Sequence, residues 1–401
     1  MDVDITNVFE RFADDMKKRV GQVHTYEPFS ASNPDYRQEF FNTEVRIDLI
    51  RHFVDGIGDI NPLYRDREYA GKTKYGCLLA PPSFLETINY AQHPEGVPPE
   101  IRGVLSGSQW EYFRPVCEGD IYTARVIHPS KVELKKSRSG GRIVILYENG
   151  DLIRQGGVVT ASYSSWVIYM EPSREGGGRT DGSQPDPEYT SEYIKEVYDT
   201  QDNEIPRGAE TRYWEDVEVG EDLHPVVRGP YTLSERFAWF MGKGNPPACV
   251  SDRLYRIITV DNPDKRGIFD PKLNIYKHPS MFDINTGREG QRKFHDAGAQ
   301  RSSWRNMVFT NWIGDEGFLW KSRAEIRGFN SEGDVTWCKA RVTKKYIENG
   351  RCCVDIDCWC ENQNGEVTMP GTGTVILPSR EHGPVRYPDP YDGEKNGRKK
   401  Q

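Results

Sequence analysis

With 401 residues, and 53 basic against 61 acidic side chains for a formal charge of −8, the chain has room for two or three domains and carries no net basic field. That balance argues against non-specific nucleic-acid binding, which needs a positive surface to release counterions from phosphate. The longest apolar stretch, Val158 to Met170, is interrupted by serines and too short to cross a bilayer, so the expectation is a cytoplasmic protein without a membrane span.

Residues 1–22 read as an amphipathic helix with Val8, Phe9, Phe12 and Met16 on one side, not as a signal segment. A first domain, 23–171, follows. In it a helical stretch from Val45 to Gly56 runs into Gly58-Asp59-Ile60-Asn61-Pro62-Leu63-Tyr64. A strand would scatter Asp59, Asn61 and Tyr64, whereas a turn entering a helix converges a carboxylate, an amide and a phenol on one point. The same letters also describe an ordinary Asp/Asn-Pro helix cap. Further on the spacing predicts a helix from Pro82 to Gln92 and strands at Ile121 to Ile127, Arg142 to Tyr147 and Val158 to Tyr169. Glu148-Asn149-Gly150 reads as a hairpin turn.

Residues 172–205, rich in Gly, Ser, Pro and charge, read as a linker with a short helix at Ser191 to Val197. The second domain, 206–380, repeats the first. Leu233 to Met241 leads into Gly242-Lys243-Gly244-Asn245-Pro246, and a helix is expected at Gln300 to Asn311. Strands follow at Thr336 to Thr343, Cys352 to Glu361 and Thr372 to Leu377, with a turn at Asn364-Gly365. Asp120 and Gly157 are 37 residues apart, as are Asp334 and Gly371. Gly58 to Gly119 spans 61 residues and Gly242 to Gly333 spans 91, so about thirty extra residues are expected as an insertion near 255–285. The tail, 381–401, is polar and reads as frayed. A helix wrapped by an antiparallel sheet, twice over, is an α+β arrangement of two tandem domains. Cys358-Trp359-Cys360 lacks the second ligand pair of a zinc site, so packed thiols are the preferred reading and no metal is expected.

Phe294-His295-Asp296-Ala297-Gly298-Ala299-Gln300-Arg301 opens the second domain's helix. A titratable pair, a small residue and a cation at a helix start suit developing negative charge. The alternative is that Asp296 caps the helix and Arg301 makes an ion pair.

The first-domain signature, with Ala70, Gly76, Ala80-Pro81-Pro82-Ser83-Phe84 and Trp110-Glu111-Tyr112-Phe113-Arg114-Pro115-Val116, resembles the MaoC-like hot-dog hydratases and dehydratases, in their double hot-dog form. The resemblance implies hydro-lyase chemistry on an acyl-CoA thioester, adding water to an enoyl-CoA or dehydrating a 3-hydroxyacyl-CoA. Coenzyme A then arrives as part of the substrate and no other cofactor is needed. Carried over, Asp59 is the base of the family's Asp–His dyad and Asn61 its amide, while Tyr64 stands where the family has His. The place of the family's thioester-binding glycine amide falls at Pro81-Pro82, and proline has no N–H to offer. In the second domain Lys243 and Ala248 align with the dyad. The expected site therefore combines Asp59, Asn61, Tyr64 and His295 as catalytic residues with Pro81, Pro82, Asp296, Gly298, Gln300 and Arg301 as substrate-binding ones. Two alternatives remain open: a non-catalytic thioester-binding subunit beside a catalytic hot-dog protein, and a thioesterase. A homodimer, or a hetero-oligomer with another hot-dog protein, is expected.

Overall fold

Long alternating runs of Val, Ile, Tyr, Trp and Thr pair into one antiparallel sheet of ten strands, five from each half of the chain. The computed structural model describes residues 5–26, 42–88, 97–98, 101–137, 141–171, 186–244 and 294–391, with 253, 268–270, 272 and 274–277. Residues 172–185 of the expected linker, most of the expected insertion, the Asn245-Pro246 turn and the end of the tail lie outside the described residues.

The first half contributes α1 (Ile5–Arg19), β1 (Val23–Tyr26), α2 (Ile47–Ile57), α3 (Pro62–Arg65), α4 (Arg67–Gly71), β2 (Leu79–Ala80), a 3₁₀ helix (Pro82–Thr87), β3 (Arg102–Tyr112), β4 (Val116–Cys117), β5 (Tyr122–Lys136), β6 (Arg142–Arg154) and β7 (Val158–Met170). After α5 (Ser191–Asp202), the second half contributes β8 (Asp222–Arg228), α6 (Leu233–Lys243), a hairpin of β9 (Ile268–Asp270) and β10 (Ile275–Lys277), α7 (Gly298–Ile313), β11 (Phe318–Glu325), β12 (Thr336–Glu348), β13 (Arg351–Asn362) and β14 (Val367–Ile376). Among the described residues, no helix is long and apolar enough to cross a membrane.

The strand order β1-β5-β6-β7-β3-β11-β14-β13-β12-β8 reads the same from either edge, one half mirroring the other's plan. The halves meet where β3 runs antiparallel to β11, with Gln109 opposite Arg323. A second junction is helical. A Cβ on Gly56 of α2 would lie 2.6 Å from the Ala238 carbonyl of α6, and one on Gly242 would lie 2.5 Å from the His52 carbonyl. These two glycines let the paired helices touch backbone to backbone.

The duplication is real, but two of its expected registers are corrected. Gly157 sits in the turn before β7, whereas Gly371 pairs inside β14, so their equal 37-residue spacing is coincidental. The residue equivalent to Ser164, read through Gln109 and Arg323, is Thr372, an offset of 208 where Asp120 and Asp334 are 214 apart. Likewise α2 and α6 end on the left-handed caps Gly58 and Gly244. The counterpart of Asp59 is then Asn245, outside the described residues, and not Lys243.

Two local expectations also change. Glu148-Asn149-Gly150 is no turn but the middle of β6. Gly150 is there because a Cβ would strike the Tyr163 ring at 2.2 Å. The hairpin at Asn364-Gly365 does form, between β13 and β14. From Pro82 the chain makes a 3₁₀ helix held by i to i+3 bonds, Phe84 N–H to Pro81 O at 2.8 Å and Ile88 N–H to Leu85 O at 3.1 Å. No side chain caps it, and residues 89–92 of the expected helix lie outside the described ones. Among the described residues the long central helix is α7, buried along nearly its whole length. On the amphipathic helix α1, Phe9, Phe12 and Met16 are buried against Val144, Leu146, Val167 and Tyr169 of β6 and β7.

Candidate active site

The turn after α2 is built by local devices that leave one carboxylate oxygen unspent. Gly58 takes the left-handed conformation at φ 68°, and the Asp59 N–H donates to Val54 O at 2.9 Å, closing the helix end. Asp59 Oδ1 accepts from the Asn61 N–H at 2.9 Å, and Asn61 Oδ1 accepts from the Leu63 N–H at 3.0 Å. Asn61 is thus the N-cap of α3, with Pro62 at its first position. One turn later α3 delivers the buried Tyr64. The motif is therefore a helix cap, and the cap is what converges its polar groups.

Asp59 is 0 % exposed, and its Oδ2 has no hydrogen-bond partner among the described residues. Burial pushes its carboxyl up to about 6. The nearby Glu204 charge adds to the rise, while the Asn61 N–H, Arg228 and Arg65 oppose it. Burial, and then the Asp59 charge, hold the Tyr64 phenol well above its ordinary range, so it stays a proton donor at any physiological pH.

The second half supplies the other wall. Arg228, at the end of β8, donates to Ile57 O at 3.2 Å and Gly58 O at 3.0 Å. A bidentate pair with Glu204, at 2.6 and 3.1 Å, fixes its guanidinium, which also meets Met307 Sδ of α7 at 3.7 Å. This buried pair holds the Asp59 turn by its carbonyls. Tyr69 donates to Asp315 Oδ2 at 2.6 Å and Tyr75 to Asp315 O at 2.9 Å, which ties the first half to the chain just past α7. Between them lies a cavity of about 50 Å³, lined by Asn61, Tyr64, Pro82, Tyr112, Arg114 and Thr310, among others.

The expected residues at the start of α7 do not join this site. Arg301 forms a fully buried bidentate pair with Asp296 at 2.5 and 2.7 Å and donates to Gly328 O at 2.9 Å. Gln300 Oε1 accepts from the Tyr231 hydroxyl at 2.9 Å. A Cβ on Gly298 would lie 2.3 Å from Ile326 Cδ1, so that glycine serves close packing. His295 packs on Phe329, its Nδ1 lies 2.7 Å from Asp296 O, and burial lowers its basicity. Around the Asp59–Tyr64 turn the contacts with α7 fall instead at Met307, which meets Arg228, and at Thr310, which lies beside Tyr64. Six to nine residues of helix separate these from Arg301, roughly 9–14 Å at the helical rise. Helix α7 thus bridges two polar clusters rather than serving one. Of the two prolines, Pro82 lines the cavity, and Pro81 precedes it as the uncapped start of the 3₁₀ helix.

Sequence reasoning missed Arg228, Glu204, Thr310 and Glu86. Two of them left a signal: Arg228 closes the apolar run Pro225-Val226-Val227, and Glu86 interrupts Phe84-Leu85 and Thr87-Ile88. A charge inside a buried run needs a partner or a purpose.

A family model described as "FAS1-like, dehydratase domain region" matches residues 36–162. The UPF0336 protein of Streptomyces griseus subsp. griseus is 35% identical over 126 residues, 29% of this chain and 80% of that one. A solved MaoC-like dehydratase superposes with a TM-score of 0.57 at 14% identity, over 90% of this chain and 99% of its own. A Mycobacterium tuberculosis protein described as having a double hot-dog fold, RV0216, gives 0.51 at 9%, over 91% and 97%. The second half thus shares the fold of such proteins, and the sequence relationship rests on the first half.

Proposed function

The chain belongs to the family of MaoC-like dehydratases and UPF0336 proteins, a double hot-dog, and from that membership we propose that it acts on acyl-CoA thioesters at the Asp59–Tyr64 site. The reaction is reversible addition of water to an enoyl-CoA, or the reverse, dehydration of a 3-hydroxyacyl-CoA. The observation that carries this reading is the free Oδ2 of the buried Asp59, in the turn that delivers Asn61 and the Tyr64 phenol to a cavity walled by both halves.

A base is most effective when its affinity for protons lies near the working pH, and Asp59, raised to about 6, meets that condition while still ionised at neutrality. In the hydration direction Asp59 takes a proton from water as the water oxygen bonds to C3, and the same proton is returned to C2. Tyr64 donates a hydrogen bond to the oxygen that gains charge. Arg228 and Glu204 act at one remove, by fixing the carbonyls of the Asp59 turn. A cytoplasmic location and assembly with a second hot-dog subunit belong to this reading.

Incubation with crotonyl-CoA tests it. Loss of the enoyl absorbance, slowed about a hundredfold or more in Asp59→Asn, is the expected result. A second reading is favoured by Tyr64 standing where the family has His: a subunit that holds the thioester for a catalytic partner. Saturable binding of crotonyl-CoA with no turnover at any enzyme concentration would establish that role instead, and release of free thiol would reveal a thioesterase.

A further inference from the structure

Glu86 is a second buried carboxyl, which this chemistry does not use. It lies on the 3₁₀ helix between Leu85 and Thr87, 5% exposed, and its Oε1 has no hydrogen-bond partner among the described residues. The Tyr112 hydroxyl beside it is unpartnered too, approaching Asn306 of α7 without reaching hydrogen-bond geometry. Arg305 faces this pair but spends its terminal nitrogens on Arg323 O at 2.8 Å, Thr372 O at 3.3 Å and the Ser322 hydroxyl. Burial raises the Glu86 carboxyl to about 8 against the opposing charges of Lys243 and Arg305, which leaves it mostly protonated at neutrality and able both to donate and to accept. An interior carboxyl and phenol left unpaired carry a desolvation cost that a purely structural position would not keep.

The geometry around them indicates what they face. Glu86 borders a space of about 20 Å³ with Trp110, Tyr163, Ser165 and Ser302, enough for one water-sized polar group. Trp110 stacks on Tyr112 with ring centroids 5.9 Å apart, and Tyr112 also lines the Asn61–Tyr64 cavity. The two spaces are therefore neighbours across one aromatic pair, the first lined by Asn61 and Tyr64 and the second by Glu86.

We infer that Glu86 and the Tyr112 hydroxyl form the polar floor of the acyl pocket, and that the preferred thioester ends in a hydrogen-bonding group such as a hydroxyl rather than in a plain alkyl chain. This inference rests on the acyl-thioester reading above. An alkyl end would leave the carboxyl and phenol unpaired in the complex, whereas a hydroxyl satisfies both, and sites built this way discriminate strongly.

Equilibrium binding of hexanoyl-CoA and 6-hydroxyhexanoyl-CoA to the full chain tests it, with Glu86→Leu and the near-isosteric Tyr112→Phe alongside. The wild type should bind the hydroxylated thioester about tenfold to a hundredfold tighter. That ratio should fall to about one or invert in Glu86→Leu and drop at least about threefold in Tyr112→Phe, while Glu86→Leu melts at or above the wild-type temperature. Equal binding of the two thioesters by the wild type overturns the inference and leaves the thioester reading standing. So does a ratio unchanged in both variants, with or without a lowered melting temperature for Glu86→Leu, since Glu86 would then be only structural. Absence of binding to either thioester overturns both readings together.

Discussion

Near each end of α7 stand a buried carboxylate, a buried arginine and a tyrosine, and the two sets are used differently. At its start, Asp296, Gln300 and Arg301 bond one another or their neighbours, and each is consumed by structure. Toward its end, Arg228 meets Met307 and Tyr64 lies beside Thr310 at the cavity, while Asp59 in the same turn keeps one oxygen unspent. Residue type alone therefore does not mark a site; a buried polar group with bonding capacity left over does.

The sharpest way to break this comparison is to remove one partner of the sealed cluster. Arg301→Leu strands the Asp296 carboxylate in the interior and should cost about 3–5 kcal/mol in denaturant unfolding. A loss under 1 kcal/mol would mean that the cluster is looser than its distances imply. At the open end, Asp59→Asn should lower turnover by about a hundredfold or more while folding survives. His295→Ala, beside the sealed cluster, should change turnover by less than about threefold if that end takes no part in chemistry.

Stability against pH gives a third contrast. The Asp59 carboxyl is raised from 3.8 to about 6 in the folded protein. Its contribution to stability is fully present below 3.8 and is lost as pH rises through 6. Relative to wild type, Asp59→Asn should thus gain stability between pH 4 and pH 8, by about 1–3 kcal/mol. Unfolding free energies at the two pH values check the sign. The same reasoning carries the gain for Glu86→Gln on to higher pH, from about pH 5 to pH 9, because that carboxyl rises from 4.5 to about 8. An effect of about 2–4 kcal/mol is expected.

How far the sequence could be read follows from which interactions are local. The Gly-Asp-Ile-Asn-Pro turn, the amphipathic α1 and the buried α7 were legible because caps and periodicity act within a few residues. The doubled plan was legible from its motifs. The sequence points to the start of α7 for the second half's share of the site, whereas the cavity lies toward its end. A helix pattern tells which face is buried and not which neighbour meets which turn. Gly150 misled because a glycine that makes room for the Tyr163 ring looks, in sequence, like one that makes a turn. Arg228 and Glu204 are 24 residues apart and joined only by tertiary structure, so no local rule pairs them.

The most direct test of the account is kcat/KM for crotonyl-CoA hydration measured from pH 4.5 to 9 in the wild type and in Asp59→Asn. The wild-type rate should climb tenfold per unit below about pH 6 and level above it, with the variant at least about a hundredfold lower on that plateau and without the rise through pH 6. A variant as fast as wild type, or a wild-type rate flat through pH 6, would contradict it.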